Sequence, residues 1–139
     1  MTKDDKMVKY GSWAFLIGIL IAFCAGLYQA YTLGETNGLF QGSFFSTQNG
    51  GMVAWIIAVL GVIVGILAFI GKGTITAKEV PGFLIAGIAL LVMYSVFQGV
   101  TIKPWIGSLL QGVSLSMAIF VAPVVAILAI AVIWAIGRD

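Results

Sequence analysis

Five carboxylates, one thiol and a few uncharged polar side chains are all that this chain offers for chemistry. The carboxylates are Asp4, Asp5, Glu35, Glu79 and Asp139, and each falls in a tail or a loop. General acid–base catalysis needs a positioned pair of titratable groups, and no such pair is visible. There is no histidine, and Cys24 is the only cysteine. Neither a nucleophilic triad nor a transition-metal cluster can therefore be assembled within one chain. An intrachain disulfide is equally impossible. No phosphate-binding loop or dinucleotide fingerprint appears. The expectation is a protein with no catalytic residue, no cofactor and no metal. Cys24 reads as a small helix-packing residue, because an apolar setting disfavours the thiolate.

The uncharged polar residues are more suggestive. Gln29 and Gln98 stand near the ends of two apolar stretches, with Tyr28 and Tyr94 beside them. Tyr94 and Gln98 are four apart and share a helical face. Two readings stay open. The side chains hydrogen-bond at a membrane interface, or Gln29, Gln98 and Tyr94 form a polar constriction in a passive channel.

The elements that carry these residues are membrane helices. The chain has 139 residues, 61% hydrophobic and 9% charged, with a formal charge of +2. Soluble domains are roughly half apolar and about a quarter charged, so this chain needs lipid in place of a polar shell. Four charge-free stretches run from about Gly11 to Thr32, Met52 to Ile70, Val80 to Gln98 and Val113 to Ile136. Each approaches the roughly 20 residues that cross a hydrocarbon core. The runs are continuous rather than alternating, which excludes barrel strands. The expected fold is all-α, an integral membrane four-helix bundle in a single domain. It comprises a tail over 1–10, a first helical hairpin over 11–71, an inner loop over 72–79 and a second hairpin over 80–137. Ionisable groups, the usual mark of pumps and voltage sensors, are missing from the spans.

Local signals mark the boundaries. Thr76-Ala77-Lys78-Glu79 reads as a capping box that opens the third helix, with Pro81 in its first turn. Gly71-Lys72-Gly73 and Gly137-Arg138 close the second and fourth helices. Pro123 should kink the fourth. The outer loop over 34–51 is rich in Gly, Ser, Thr, Asn and Gln around apolar Leu39-Phe40 and Phe44-Phe45. Pro104, Trp105, Ile106, Leu109 and Leu110 fit either a short interfacial helix or an irregular loop. The first apolar run is too long for a signal peptide, and no small-residue cleavage site follows it. Phe23 before Cys24 argues against a lipoprotein cleavage box.

Basic residues give an orientation. Lys3, Lys6, Lys9, Lys72, Lys78 and Arg138 share one side of a four-span topology, and only Lys103 lies on the other. Both termini are therefore expected at the cytoplasmic face. Trp13 and Trp134 fall at the inner ends, and Tyr31, Trp55 and Trp105 near the outer ends, as interfacial anchors do.

The halves of the chain resemble each other. Ala14-Phe15-Leu16-Ile17-Gly18-Ile19 matches Gly82-Phe83-Leu84-Ile85-Ala86-Gly87-Ile88 with one insertion, and Leu27-Tyr28-Gln29-Ala30 matches Val96-Phe97-Gln98-Gly99. Leu39-Phe40-Gln41-Gly42-Ser43 and Leu109-Leu110-Gln111-Gly112-Val113 continue the pairing. Tandem duplication of a hairpin, as a parallel repeat, accounts for this. Chance matching in apolar sequence is the alternative. Small residues form stripes every three or four positions: Gly18, Ala22 and Gly26; Ala58, Gly61, Gly65 and Ala68; Ala118, Ala122 and Ala126. Such stripes let helices approach closely in lipid, within a bundle or between subunits.

Lys9-Tyr10-Gly11-Ser12-Trp13, Leu60-Gly61-Val62-Ile63-Val64-Gly65, the run from Ile75 to Ala86 and Ala118-Ile119-Phe120-Val121-Ala122-Pro123 together carry a resemblance. The chain resembles a group of small uncharacterised archaeal four-helix membrane proteins, and the segment from Thr76 to Ala86 is its most specific part. The resemblance implies an archaeal source and four spans, with no catalytic residue. The long outer loop and Cys24 depart from it. In character rather than motif, the chain is also similar to hydrophobic helical coat proteins of spindle-shaped archaeal viruses.

The functional expectation is a non-enzymatic structural protein that self-associates into a lattice, coat or shell through small-residue helix packing. Its partners would be itself and membrane lipid, with nucleic acid only if a shell turned its basic face inward. The passive channel lined by Gln29 and Gln98 is the alternative. A third role, less favoured, is a membrane adaptor that binds a partner through its outer loops.

Overall fold

The structure, a computed structural model, describes residues 3–35, 42–70, 75, 78–98 and 106–139. It is all-helical, with no strand among the described residues. Four long helices form the molecule: α1 (Lys3–Glu35), α2 (Gln48–Phe69), α3 (Val80–Phe97) and α4 (Ile106–Arg138). All four are long and apolar enough to cross a membrane. A short 3-10 turn over Phe44–Ser46 precedes α2.

α2 and α3 match the apolar runs closely, whereas α1 and α4 overrun them. The tail expected over 1–10 is helical from Lys3 onward. Its residues include good helix formers, and no helix breaker interrupts them before the span. The 33 residues of α1 extend about 50 Å, well past a core of about 30 Å. Ile106 to Gly112 is likewise the first part of a continuous α4 rather than a separate interfacial helix. Pro123 lies inside this helix. Thr76 lies outside the described residues. Helix α3 takes Glu79 as its N-cap, without a side-chain capping bond, and has Pro81 in its first turn. The closing motif Gly71-Lys72-Gly73 also lies outside the described residues, directly after the C-cap Ile70.

α4 is the axis of the bundle. It packs against α1, α2 and α3, whereas the backbones of α2 and α3 come no closer than 8 Å between Cα atoms among the described residues. Phe120 is fully buried at its centre. A Cβ on Gly18 of α1 would collide with the Phe120 ring, and one on Gly61 of α2 with the Phe120 carbonyl oxygen. Contacts continue antiparallel along α1, where Gly26 faces Val113 and Ser116 and Ala30 faces Gly112. They run parallel along α2, where Gly65 faces Val124 and Ile127. This register brings the start of α1 and the end of α4 to one end of the bundle. At mid-depth the rings of Phe15, Phe83 and Phe120 join α1, α3 and α4, with centroids 6.2 Å (Phe15–Phe83) and 6.0 Å (Phe15–Phe120) apart.

The outward surface is apolar. Leu16, Leu20, Ile56, Ile85, Ile88, Val92, Ile130 and Ile133 are all exposed. Lipid is the solvent that makes this arrangement favourable, because in water such a surface would drive aggregation.

Candidate functional site

The most organised polar structure lies where the C-terminal end of α1 meets the chain entering α2. Gln29 is fully buried. Its Nε2 donates to Ser43 Oγ at 3.0 Å, and its Oε1 accepts from the Phe45 N–H at 2.8 Å. Thr32 Oγ1 donates to the Gln29 carbonyl at 2.9 Å and accepts from the Phe44 N–H at 2.9 Å. One turn of α1 thus supplies a side-chain amide and a hydroxyl to backbone donors that no helix or sheet would satisfy.

The short segment is also locked to itself and to α2. Gly42 has a φ of 93°, a left-handed conformation that glycine adopts without strain. Its N–H donates to Ser46 Oγ at 2.9 Å, and Ser46 Oγ donates to the Ser43 carbonyl at 2.7 Å. Thr47 caps α2: its Oγ1 accepts from the Gly50 N–H at 3.1 Å and donates to the Phe44 carbonyl at 2.6 Å. The Tyr28 ring stands edge-on to Phe44 at 4.7 Å. A Cβ on Gly50 would strike the Phe44 carbonyl, so glycine is needed there.

A second polar group lies along the first turns of α4. Ser108, Gln111, Ser114 and Ser116 are buried. Ser116 Oγ donates to the Ala22 carbonyl of α1. Gln111 Nε2 and Ser114 Oγ have no hydrogen-bond partner.

The two glutamines of the channel reading do not share an environment. Gln29 is consumed by the weld to Ser43 and Phe45. Gln98 is the exposed C-cap of α3, and Tyr94 is half-buried one turn before it. The small-residue stripes separate just as clearly. Gly18, Ala22 and Gly26 are buried where α1 meets α4, and Gly61, Gly65 and Ala68 are buried on the α4-facing side of α2, with Ala58 half-buried. Ala118 is buried in α4, but Ala122 and Ala126 are exposed. Cys24 is exposed on the outside of α1, so the packing role expected for it is corrected. It points away from the Gly18–Ala22–Gly26 edge because it is out of phase with that stripe.

Among the described residues no three His, Cys, Asp or Glu side chains gather where they could hold a metal ion. Asp5, Glu79 and Asp139 are exposed. The side chains of Asp4 and Glu35 lie outside the described set.

Sequence reasoning missed the partners of Gln29. The available signal was Ser43-Phe44-Phe45 followed by Thr47, a helix cap that requires the preceding segment to be held. It also missed Gln111 as a buried group, although Ser108, Gln111 and Ser114 recur every third residue and so lie along one side of a helix. No family model, curated protein or solved structure matches this chain.

Proposed function

We propose that this chain is a non-enzymatic structural membrane protein that self-associates, building a lattice, coat or shell from its transmembrane surfaces. One observation carries the reading. On α4, Pro123 and Ile127 turn toward α2, while Val121 and Val125 turn toward α3. Ala122 and Ala126 lie on the arc between them and are exposed. Because the α2 and α3 backbones stay more than 8 Å apart and both alanines are exposed, the small side chains floor an open strip along the central helix. A helix from a second copy could approach closely there, as small-residue surfaces allow in lipid. The other stripes support the bundle instead of its association.

Light scattering in gentle detergent, with a cysteine at Ala122 or Ala126 in a Cys24→Ala background, tests the proposal. Oligomers that form disulfides through either position are expected. A strictly monomeric particle at every concentration, with no disulfide, overturns it. The channel reading loses its geometric basis, since Gln29 is occupied by the outer segment and Gln98 lies exposed.

The orientation belongs to the same proposal. Both termini would face the cytoplasm, because Lys and Arg in short flanking segments resist translocation. Single cysteines at Thr2, Gly73 and Asn49, probed on intact cells with an impermeant thiol reagent, should react at Asn49 alone. Reaction at Gly73 without Asn49 reverses the orientation. The proposal also holds that the hairpins arose by tandem duplication, supported by the meeting of the repeat-equivalent Phe15 and Phe83.

A further inference from the structure

We infer that the exposed face of α1 at the terminal end of the bundle is a binding groove for an anionic phospholipid. Lys6, Lys9, Tyr10, Trp13 and Ile17 line a surface groove of about 490 Å³. At 100° per residue these five positions fall within an arc of about 100°, so one ligand can touch all of them. Asp5, one turn before Lys9, does not line the groove. The groove is graded along the helix axis. Two lysines stand at the top, two aromatic rings follow, and an aliphatic side chain lies at the bottom.

That order matches the profile of one lipid leaflet. Trp13 and Tyr31 are 18 residues apart on α1, or about 27 Å, nearly the thickness of a hydrocarbon core. Trp13 therefore marks the boundary, and Lys6 and Lys9 project about one to two turns beyond it to phosphate height. Tyr10 and Trp13 are 71% and 57% exposed, and Ile17 is 47% exposed at acyl-chain depth. Lys6 and Lys9 are both exposed on this face. A headgroup phosphate complements the two ammonium groups, and the acyl chain covers Trp13 and Ile17. A free anion would use only the top of the groove, and a zwitterionic lipid would leave the lysine charge uncompensated. The inference rests on the membrane-spanning helices and is independent of self-association.

Quenching of Trp13 by brominated lipid tests it. The full chain carrying Trp55→Phe, Trp105→Phe and Trp134→Phe is reconstituted in phosphatidylcholine vesicles. A fixed mole fraction of brominated phosphatidylglycerol or brominated phosphatidylcholine is included. The anionic lipid should quench severalfold more strongly, and Lys6→Gln with Lys9→Gln should weaken its binding about fivefold for each lysine removed. Lys78→Gln, at the same end of the bundle but outside the groove, should leave the preference intact. Equal quenching by the two lipids overturns the inference. So does an equal loss with Lys78→Gln, which would mean diffuse attraction rather than a groove. Inorganic phosphate at matched ionic strength should not relieve the quenching; relief would assign the site to a free anion. Native mass spectrometry of the unsubstituted chain provides a second readout independent of the tryptophan replacements. Preferential retention of phosphatidylglycerol, lost in the double lysine variant, is expected, and retention without preference overturns the inference.

Discussion

Gln29 and Gln98 fall at matching places in the two halves of the chain, yet one is fully buried and the other lies in the open. What differs is the chain that follows. After α1 it turns back and places Ser43 and the Phe45 backbone against the Gln29 amide. Gln98 ends its helix as an exposed cap, with its backbone N–H bonded to the Tyr94 carbonyl. Nearer the middle of the bundle the two halves meet directly, through the Phe15 and Phe83 rings. Two residues of one type thus acquire different roles from the chain around them. Among the described residues, polar bonding gathers at the C-terminal end of α1 and, through Ser116, at its contact with α4.

The strongest way to break this comparison is to substitute both glutamines. Gln29→Leu leaves the Phe45 N–H without an acceptor in a buried setting and removes the bond to Ser43. The expected loss is about 3 kcal/mol of stability, combining an orphaned donor with a lost hydrogen bond. Gln98→Leu should change stability by less than about 0.5 kcal/mol, as exposed substitutions do. Reversible unfolding in mixed micelles measures both. Equal effects would mean that the halves are equivalent after all. Proteolysis should follow the same order, with cutting near Ser43 accelerated only by Gln29→Leu.

Glycine positions sharpen the same contrast. A Cβ on Gly26 would lie 2.8 Å from the Val113 backbone, and one on Gly112 would lie 2.6 Å from the Ala30 backbone. Backbone cannot rotate aside as a side chain can, so α1 and α4 would have to separate. Gly26→Ala or Gly112→Ala should each cost about 2 kcal/mol. Gly82→Ala, where nothing lies within 4 Å, should be neutral or slightly stabilising through its helix propensity. The measurement is again unfolding in micelles. A loss at Gly82 as large as at Gly26 would remove the special status of the α1–α4 contact.

How much of this could be read from sequence depends on the range of the interaction. Continuous apolar runs located α3 and the end of α2 to within a residue, because lipid thickness largely determines them, whereas α2 begins at Gln48, before its run at Met52. The same runs undershot α1 and α4. Charge at Lys3–Lys9 marks where lipid ends, not where the helix ends. The close approach of Gly18, Ala22 and Gly26 was legible as a small-residue stripe. Its partner was not, because Ser116 and Phe120 lie about a hundred residues away along the chain. The central place of α4 is likewise a property of pairings among distant segments. Gln29 was visible as an unusual polar residue, but its role depended on how Ser43 to Phe45 folded back.

The capping residue of α2 tests whether the weld extends past Gln29. Thr47 joins two functions, accepting from the Gly50 N–H and donating to the Phe44 carbonyl. Thr47→Ala should cost about 1 kcal/mol, the usual value of a lost N-cap. Thr47→Ser keeps the hydroxyl and should recover most of that loss. If serine and alanine behave alike, the hydroxyl is not what holds the segment.

The smallest effect is expected at Gln111 and Ser114, and its sign is opposite. These residues are the second half's counterpart to the polar weld, being buried near the start of α4. Unlike Gln29, they leave Gln111 Nε2 and Ser114 Oγ without partners. A buried unpaired donor retains its desolvation penalty without a compensating bond. Removing the polar atom while keeping the volume removes that penalty. Gln111→Met and Ser114→Ala should therefore be neutral or stabilising, by up to about 1 kcal/mol each, and the larger gain is expected in the double variant. Ser116→Ala is the control, because its hydroxyl donates to the Ala22 carbonyl, and it should destabilise. If Ser114→Ala costs as much as Ser116→Ala, then Ser114 is hydrogen-bonded in the membrane, and polar bonding in this protein is not confined to the first half and its contact with α4.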